Sequence, residues 1–290
     1  MKHVVITGST SGIGLAAAVA LAREGWRVIG TGRDPGRCAA AEAAVRAAAP
    51  GAEVVFLAAD LGSRREVLGL AERIRSLVHA DNEGGLEALV LNAGTVPAWY
   101  TVTEDGFESQ FAVNHLSGFL LARELDVELR CAGEARIVTT SSGSHRGARI
   151  HWKDVMMRRS YNPLSAYKQS KLANVLFTVE YNRRRAEGRG PRAYAVDPGL
   201  VDTAIGEKGG GIVAFVWRWR RKGGVRPEEA ARTIVHLVAE PALADAEAPY
   251  WKDLRPVNPS RRAFDEGEGR GLWELSERLC GEPVATGRPQ

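Results

Sequence analysis

The chain has 290 residues, 44% of them hydrophobic and 26% charged, with a net charge of +4. That is ordinary for one large soluble α/β domain with a well-buried core. No apolar run approaches the ~20 residues of a membrane span, and Met1-Lys2-His3 runs straight into a strand, leaving no room for a signal peptide. A cytoplasmic protein is expected. Cys38, Cys131 and Cys280 are scattered and odd in number, which reads as reduced structural thiols without a metal cluster. Basic residues concentrate at Arg183-Arg184-Arg185, Arg218 to Lys222 and Arg261-Arg262. Such arginines solvate a surface, and a dinucleotide phosphate also wants positive potential, so no nucleic-acid partner is expected.

Short apolar runs alternate with longer helical patterns, the signature of a parallel sheet covered on both faces. The strands are expected at Val4 to Thr7, Arg27 to Thr31, Val54 to Ala58, Ala88 to Leu91, Arg136 to Thr140 and Arg192 to Val196. Helices are expected over Gly12 to Glu24, Pro35 to Ala49, Ser63 to His79, Glu104 to Arg130 and Ser165 to Glu187. A further helix starts at Pro227-Glu228-Glu229, with proline and acids in its first turn, and a last one covers Leu272 to Cys280. The pattern predicts a single Rossmann-type, doubly wound domain over 1–280 and a flexible tail over 281–290.

Between the first strand and the first helix lies Thr7-Gly8-Ser9-Thr10-Ser11-Gly12-Ile13-Gly14. Glycines there let the backbone approach a pyrophosphate, while the amides at the helix start, including those of Ser11, Ile13 and Gly14, face its charge. At the end of the second strand, Gly30-Thr31-Gly32-Arg33 has glycine where a carboxylate would hold the ribose hydroxyls of NAD. Arg33 can grip a 2′-phosphate at two points, which favours NADP (as NADPH) over NAD. Asp34 argues the other way unless it caps the helix starting at Pro35. Asp60 and Leu61 follow the third strand, where the adenine is expected; Asp60 can also cap the next helix. Asn92-Ala93-Gly94 ends the fourth strand, and its small residues let the nicotinamide half pass. Pro198-Gly199 would line the nicotinamide, with Thr203 reaching its amide or phosphate.

Tyr167 and Lys171 are four positions apart and share a helix face, where a lysine charge favours the phenolate. An unperturbed phenol titrates near ~10 and needs such a cation to act at neutral pH. Ser141 and Ser142 follow the fifth strand on opposite sides of it.

Taken together, Thr7-Gly8-x-x-x-Gly12-x-Gly14, Asn92-Ala93-Gly94, Asn114, Ser142, Tyr167-x-x-x-Lys171 and Pro198-Gly199 resemble the short-chain dehydrogenase/reductase family over about the first 240 residues. The resemblance implies a Rossmann-type oxidoreductase that moves a hydride between nicotinamide, from its pro-S side, and a carbonyl or alcohol. It implies Tyr167 as general acid or base, and Lys171 as its cation and as a ligand of the nicotinamide ribose. It further implies Ser142 as hydrogen-bond partner of the substrate oxygen, and Asn114 as anchor of a proton-relaying water. Silent dinucleotide-binding relatives, acting as sensors or scaffolds, usually lose the tyrosine or lysine; both are present here. The 25-position gap between Ser142 and Tyr167, with His145, Ile150-His151-Trp152 and Asp154 inside it, is similar to the retinol-dehydrogenase-like branch. That branch includes retinol, protochlorophyllide and WW-domain oxidoreductase relatives, and implies a lipophilic substrate. The chain departs from it in Asp197, where histidine or asparagine is common. His145 and His151 read as packing or surface residues.

Residues 200–224 carry Phe215, Trp217 and Trp219 between glycine clusters. They read as a mobile lid over a hydrophobic substrate, with a membrane contact through Arg218 to Lys222 and a packing surface as rivals. The helices at 104–130 and 165–187 commonly build a four-helix homodimer face in relatives. A homodimer is one arrangement; the extension after Pro241 covering that face is the other.

Overall fold

Every expected strand lies within one residue of its predicted ends. In the computed structural model, which describes residues 1–80, 85–185, 190–201, 224–243 and 247–281, the strands are β1 (His3–Ile6), β2 (Arg27–Gly32), β3 (Val54–Ala58), β4 (Ala88–Leu91), β5 (Arg136–Thr140), β6 (Arg192–Asp197), β7 (Tyr250–Lys252) and β8 (Arg255–Pro256). The helices are α1 (Gly12–Arg23), α2 (Pro35–Ala48), α3 (Arg64–His79), α4 (Ser109–Phe111), α5 (Ser117–Glu124), α6 (Asp126–Cys131), α7 (Pro163–Arg185), α8 (Pro227–Ala239) and α9 (Glu266–Cys280). The sheet runs β3-β2-β1-β4-β5-β6-β7-β8, parallel except for β8. Its winding reverses between β1 and β4, which opens a crevice at the carboxyl ends of the central strands.

Both faces of the central strands are buried, so they read as near-continuous apolar runs. Val5, Ile29, Leu89 and Ile137 face one core, filled by Leu70 and Ile74 of α3, Phe119 and Leu120 of α5, and Leu172 and Leu176 of α7. Val4, Ile6, Val28, Val90 and Val138 face the other, with Leu21 of α1, Val45 of α2, and Ile234 and Leu237 of α8. Truncating any one fully buried leucine or isoleucine here to alanine would cost about 2–5 kcal/mol.

One expected helix begins late. Residues 104–108 form a turn, Val102 bridges Glu108, and the buried Glu108 carboxylate caps α4 by accepting from Gln110 N (2.9 Å) and Phe111 N (2.8 Å). The helix therefore starts at Ser109, then widens into a π-helical stretch, Ala112–Leu116, before α5. Ser63 caps α3, accepting from Glu66 N. Asp60 instead takes the amide of Gly62 at 2.9 Å, so the N-cap role offered to it belongs to Ser63.

The C-terminal helix was legible only in its second half. Asp265 caps it by accepting from Glu268 N (2.9 Å), so α9 begins at Glu266. It lies on the π stretch, α5 and α7. Trp273 stacks on Phe177 with centroids 6.0 Å apart, the Arg184 guanidinium sits 4.4 Å over its ring, and His115 Nε2 meets Ser276 Oγ at 3.0 Å. Burial pushes His115 down to about 4, so it stays neutral. Arg64 donates to the Cys280 carbonyl at the end of α9. Arg183 and Arg184 both pair with Glu180, which neutralises part of the arginine run on α7. Residues 202–223 lie outside the described residues, and with them the lid reading and Thr203. The ends of that segment meet in a parallel bridge between Val201 and Val225.

Candidate active site

The glycine turn sits where the sheet reverses, and the side chains of Thr7, Ser9 and Asn92 hold it against the ends of β1, β2 and β4. Thr7 Oγ1 accepts from the amides of Asn92 (2.9 Å) and Ala93 (3.0 Å), and Asn92 Nδ2 donates to the carbonyls of Thr7 (3.0 Å) and Gly8 (3.2 Å). Ser9 Oγ bridges β1 and β2, donating to Ile6 O (3.0 Å) and accepting from Thr31 N (2.9 Å). Gly8 and Gly12 hold φ of +65° and +57°, in the left-handed region. A Cβ on Gly14 would stand 2.6 Å from both Gly8 O and Asn92 Nδ2, so no side chain fits there. Ser11 is the N-cap of α1 with an extended backbone, and its side chain makes no capping bond. The helix amides beyond it are therefore open to an anion, and the partly buried Ile13 anchors the turn on the α1 core. These residues fit a dinucleotide pyrophosphate.

At the end of β2, the Asp34 carboxylate accepts from Arg37 N at 2.8 Å and caps α2. Arg33 is exposed beside it, and its side chain makes no hydrogen bond or ion pair with the described residues. Leu61, after β3, packs on the core below the turn.

The second cluster gathers at the carboxyl ends of β4, β5 and β6. Ser141 Oγ donates to Lys171 O at 2.8 Å, which fastens α7 to β5. Ser142 points the other way, and its hydroxyl is hydrogen-bonded to the Tyr167 phenol. The alternation that sets Ser141 on the opposite side of the strand is thus visible in the packing. Lys171 is buried, donates from Nζ to Thr140 O at 3.0 Å, and lies 5.6 Å from the Tyr167 ring centre. Asn114, on the π stretch, accepts from Thr95 N (2.7 Å) and donates to Thr95 O (3.1 Å) and Ser170 Oγ (3.0 Å). A Cβ on Gly94 would lie 3.5 Å from Asn114 Oδ1 and 3.8 Å from Lys171 Nζ, so all three border one gap.

The electrostatics differ from the sequence expectation. Burial pushes the Tyr167 phenol up to about 12, with the Ser142 bond opposing and the Asp197 charge adding to the rise. Burial also pulls Lys171 down to about 8. Desolvation is the largest influence on the phenol, so Tyr167 holds its proton across the physiological range.

The short-chain dehydrogenase family profile matches residues 2–210. Human retinol dehydrogenase 13 is 35% identical over 296 residues, a match that spans 100% of this chain and 87% of the relative. Mouse retinol dehydrogenase 12 is 34% identical over 280 residues, spanning 97% and 86%. The chain belongs to the short-chain dehydrogenase family.

Within it, the chain lies in the retinol-dehydrogenase-like branch and is an NAD(P)-dependent oxidoreductase of alcohol or carbonyl groups. Among solved structures, an uncharacterised Mycobacterium paratuberculosis protein superposes with a TM-score of 0.75 at 31% identity, covering 98% of this chain and 94% of that one. An alcohol dehydrogenase from Thermococcus sibiricus, solved with 5-hydroxy-NADP, shares the fold at a TM-score of 0.65 and 24% identity, covering 89% and 97%. Among the described residues, no helix is long and apolar enough to cross a membrane.

Three further residues pack around this cluster without a role that the motifs assign. His145 is buried, with Nδ1 2.8 Å from Ser142 O and Nε2 accepting from Ser260 N at 3.0 Å. That pattern makes the ring neutral with its proton on Nδ1, as burial also favours. Tyr250 lies 4.9 Å from the His145 ring. Asp197 was flagged only as a departure from relatives; its Oδ1 accepts from Gly199 N at 3.0 Å, closing the Pro198-Gly199 turn.

Proposed function

We propose that this oxidoreductase uses NADP(H) and interconverts a lipophilic carbonyl compound and its alcohol. The observation that carries the reading is the hydrogen-bonded Ser142–Tyr167 pair, with Lys171 one turn along α7, at the strand ends beside an open helix N-terminus. A bound nicotinamide dinucleotide would supply or accept the hydride. Tyr167, kept protonated by burial, would give its proton to the substrate oxygen in reduction. Ser142 would donate to the same oxygen as negative charge grows on it. Lys171, steered by Thr140 O, would bind the cofactor ribose and offset the phenolate left behind. Asn114 shares the gap beside Gly94 with Lys171 and would anchor the water that returns a proton. Gly8, Gly12 and Gly14 would cradle the pyrophosphate with the amides of Ser11 and Ile13. Asp60 and Leu61 would border the adenine, and Asn92, Ala93, Gly94, Pro198 and Gly199 the nicotinamide half.

Support for NADP comes from the end of β2. The carboxylate that could hold a ribose diol is spent capping α2, whereas Arg33 is exposed and unengaged. A lipophilic substrate is supported by the retinol dehydrogenase relatives and by the loop after Gly94, which exposes Trp99 and Tyr100. Fluorescence titration tests the cofactor: NADPH should bind about tenfold or more tighter than NADH, and Arg33→Ala should erase the difference. Equal affinities in the wild-type protein would overturn the NADP reading. A panel of retinal-like, aromatic and short aliphatic carbonyls should rank by apolar size in kcat/KM; a preference for the short ones would overturn the lipophilic reading.

A further inference from the structure

Asp197 is a carboxylate in a place that should reject one. It is 7% exposed, and among the described residues it forms no ion pair. Its Oδ1 is held by Gly199 N, while Oδ2 is turned toward Gly143, 3.1 Å from where a Cβ on that glycine would be. Gly143 directly follows Ser142, so the charge borders the reacting cluster. Among the described residues, the cationic candidates nearby are otherwise engaged. Lys171 Nζ is bound to Thr140 O and makes no ion pair with Asp197, His145 is neutral by its hydrogen-bond pattern, Arg146 is exposed and donates to Asn258 O, and Lys252, the register partner of Asp197 on β7, makes no ion pair with it. Tyr250 is 1% exposed, and its buried hydroxyl, without a hydrogen-bond partner among the described residues, lies near the carboxylate. It cannot cancel the charge. A buried, uncompensated carboxylate is costly, and the cost falls when a cation binds beside it.

Resting on the cofactor reading above, we propose that Asp197 recognises the oxidised, positively charged nicotinamide in preference to the reduced, neutral one. The argument for proximity is chemical. A carbonyl group is only one bond long, so the atom that gains the hydride and the atom that gains the Tyr167 proton are neighbours. A charge bordering Ser142 and Tyr167 would therefore also lie near the reactive end of a bound ring. Favouring the cation makes the bound reduced form a stronger hydride donor. The same charge helps keep Tyr167 protonated, so both effects poise the site for carbonyl reduction.

The test measures binding rather than turnover. Kd values for the oxidised and reduced cofactor are compared in the wild-type protein and in Asp197→Asn, which is isosteric and keeps an acceptor for Gly199 N. In the variant the oxidised form should bind about tenfold more weakly and the reduced form within about twofold of wild type. The bound couple would then shift up by about 30 mV, as a tenfold ratio implies for two electrons. Retained binding with an unchanged ratio overturns the inference alone. Failure of both forms to bind the wild-type protein overturns the cofactor reading, and this inference with it. If the variant does not fold, the wild-type protein decides. It should bind the oxidised form at least as tightly as a neutral 1,4,5,6-tetrahydronicotinamide analogue; a tenfold preference for the neutral analogue overturns the inference.

Discussion

The two halves of the crevice are built on opposite principles. The dinucleotide half works through backbone and missing side chains: Gly8, Gly12 and Gly14 make room, and the side chains of Thr7, Ser9 and Asn92 are consumed in holding the turn. The catalytic half works through polar side chains, the partly buried Ser142 and Tyr167 and the buried Lys171 and Asp197, whose chemistry is set by desolvation and by one another. The first half needs shape and an unshifted helix terminus. The second needs titratable groups kept away from water, where small displacements change what each can do.

The contrast can be broken experimentally, and the largest expected effect lies in the catalytic half. Tyr167→Phe should lower kcat for carbonyl reduction about 10³-fold, within the range of a lost general acid, while cofactor Kd stays within about twofold. Loss of cofactor binding in that variant would show that the halves are not separable. Gly14→Val should do the reverse. Its side chain would meet Gly8 O and Asn92, and cofactor affinity should fall about 100-fold, an overpacking cost of about 3 kcal/mol, with a lowered Tm.

The pH profile sharpens the comparison further. Because burial pulls Lys171 down to about 8, kcat/KM for reduction should decline above about that pH as the ammonium is lost. The decline should approach about tenfold per pH unit and vanish in Lys171→Met. A decline that survives that substitution would assign the titration elsewhere. The smallest effect concerns stability. Burial raises Tyr161 and Tyr167 to about 12, and Tyr181 and Tyr250 also upward. A group raised in the folded state contributes stability that is whole below its unfolded value, about 10, and lost as pH climbs through the folded value. Stability to chemical denaturation should therefore fall between about pH 10 and 12, and ultraviolet titration should find these four phenols ionising late. Lys171 has the opposite sign, adding stability as pH rises from about 8 toward its ordinary value.

Legibility followed the same division. The six main strands could be read from their short apolar runs, because both faces of each central strand are buried, while the glycine turn and Ser142 were read from the family motif, with strand alternation in support. Asp34 was readable as a cap from its place before Pro35. β7 and β8 were missed; with three and two residues they are too short to carry a pattern. The late start at Ser109 was missed because a buried glutamate, normally a helix former, acts there as a cap. The raised phenol and lowered ammonium were illegible for a different reason. Lysine four residues after tyrosine states that the two are near, but not how much water surrounds them. His145 depends on Ser260 and Asp197 faces Tyr250, contacts that span long stretches of chain and leave no local trace.

The widened helix beneath Gly94 has a mechanical meaning. Ser117 N reaches back five residues to Ala112 O, so the stretch holds one residue more than a regular turn would, and Ser117 Oγ takes up the carbonyl of Val113 at 2.8 Å. That surplus residue sets the angular phase between Phe111, seated in the core, and Asn114, aimed at Thr95 and Ser170. Excising Val113 would let the coil close to its usual pitch and swing one of the two out of alignment by roughly a quarter turn. The aim of the amide is thus encoded in the length of the peptide ahead of it as well as in the identity of the residue.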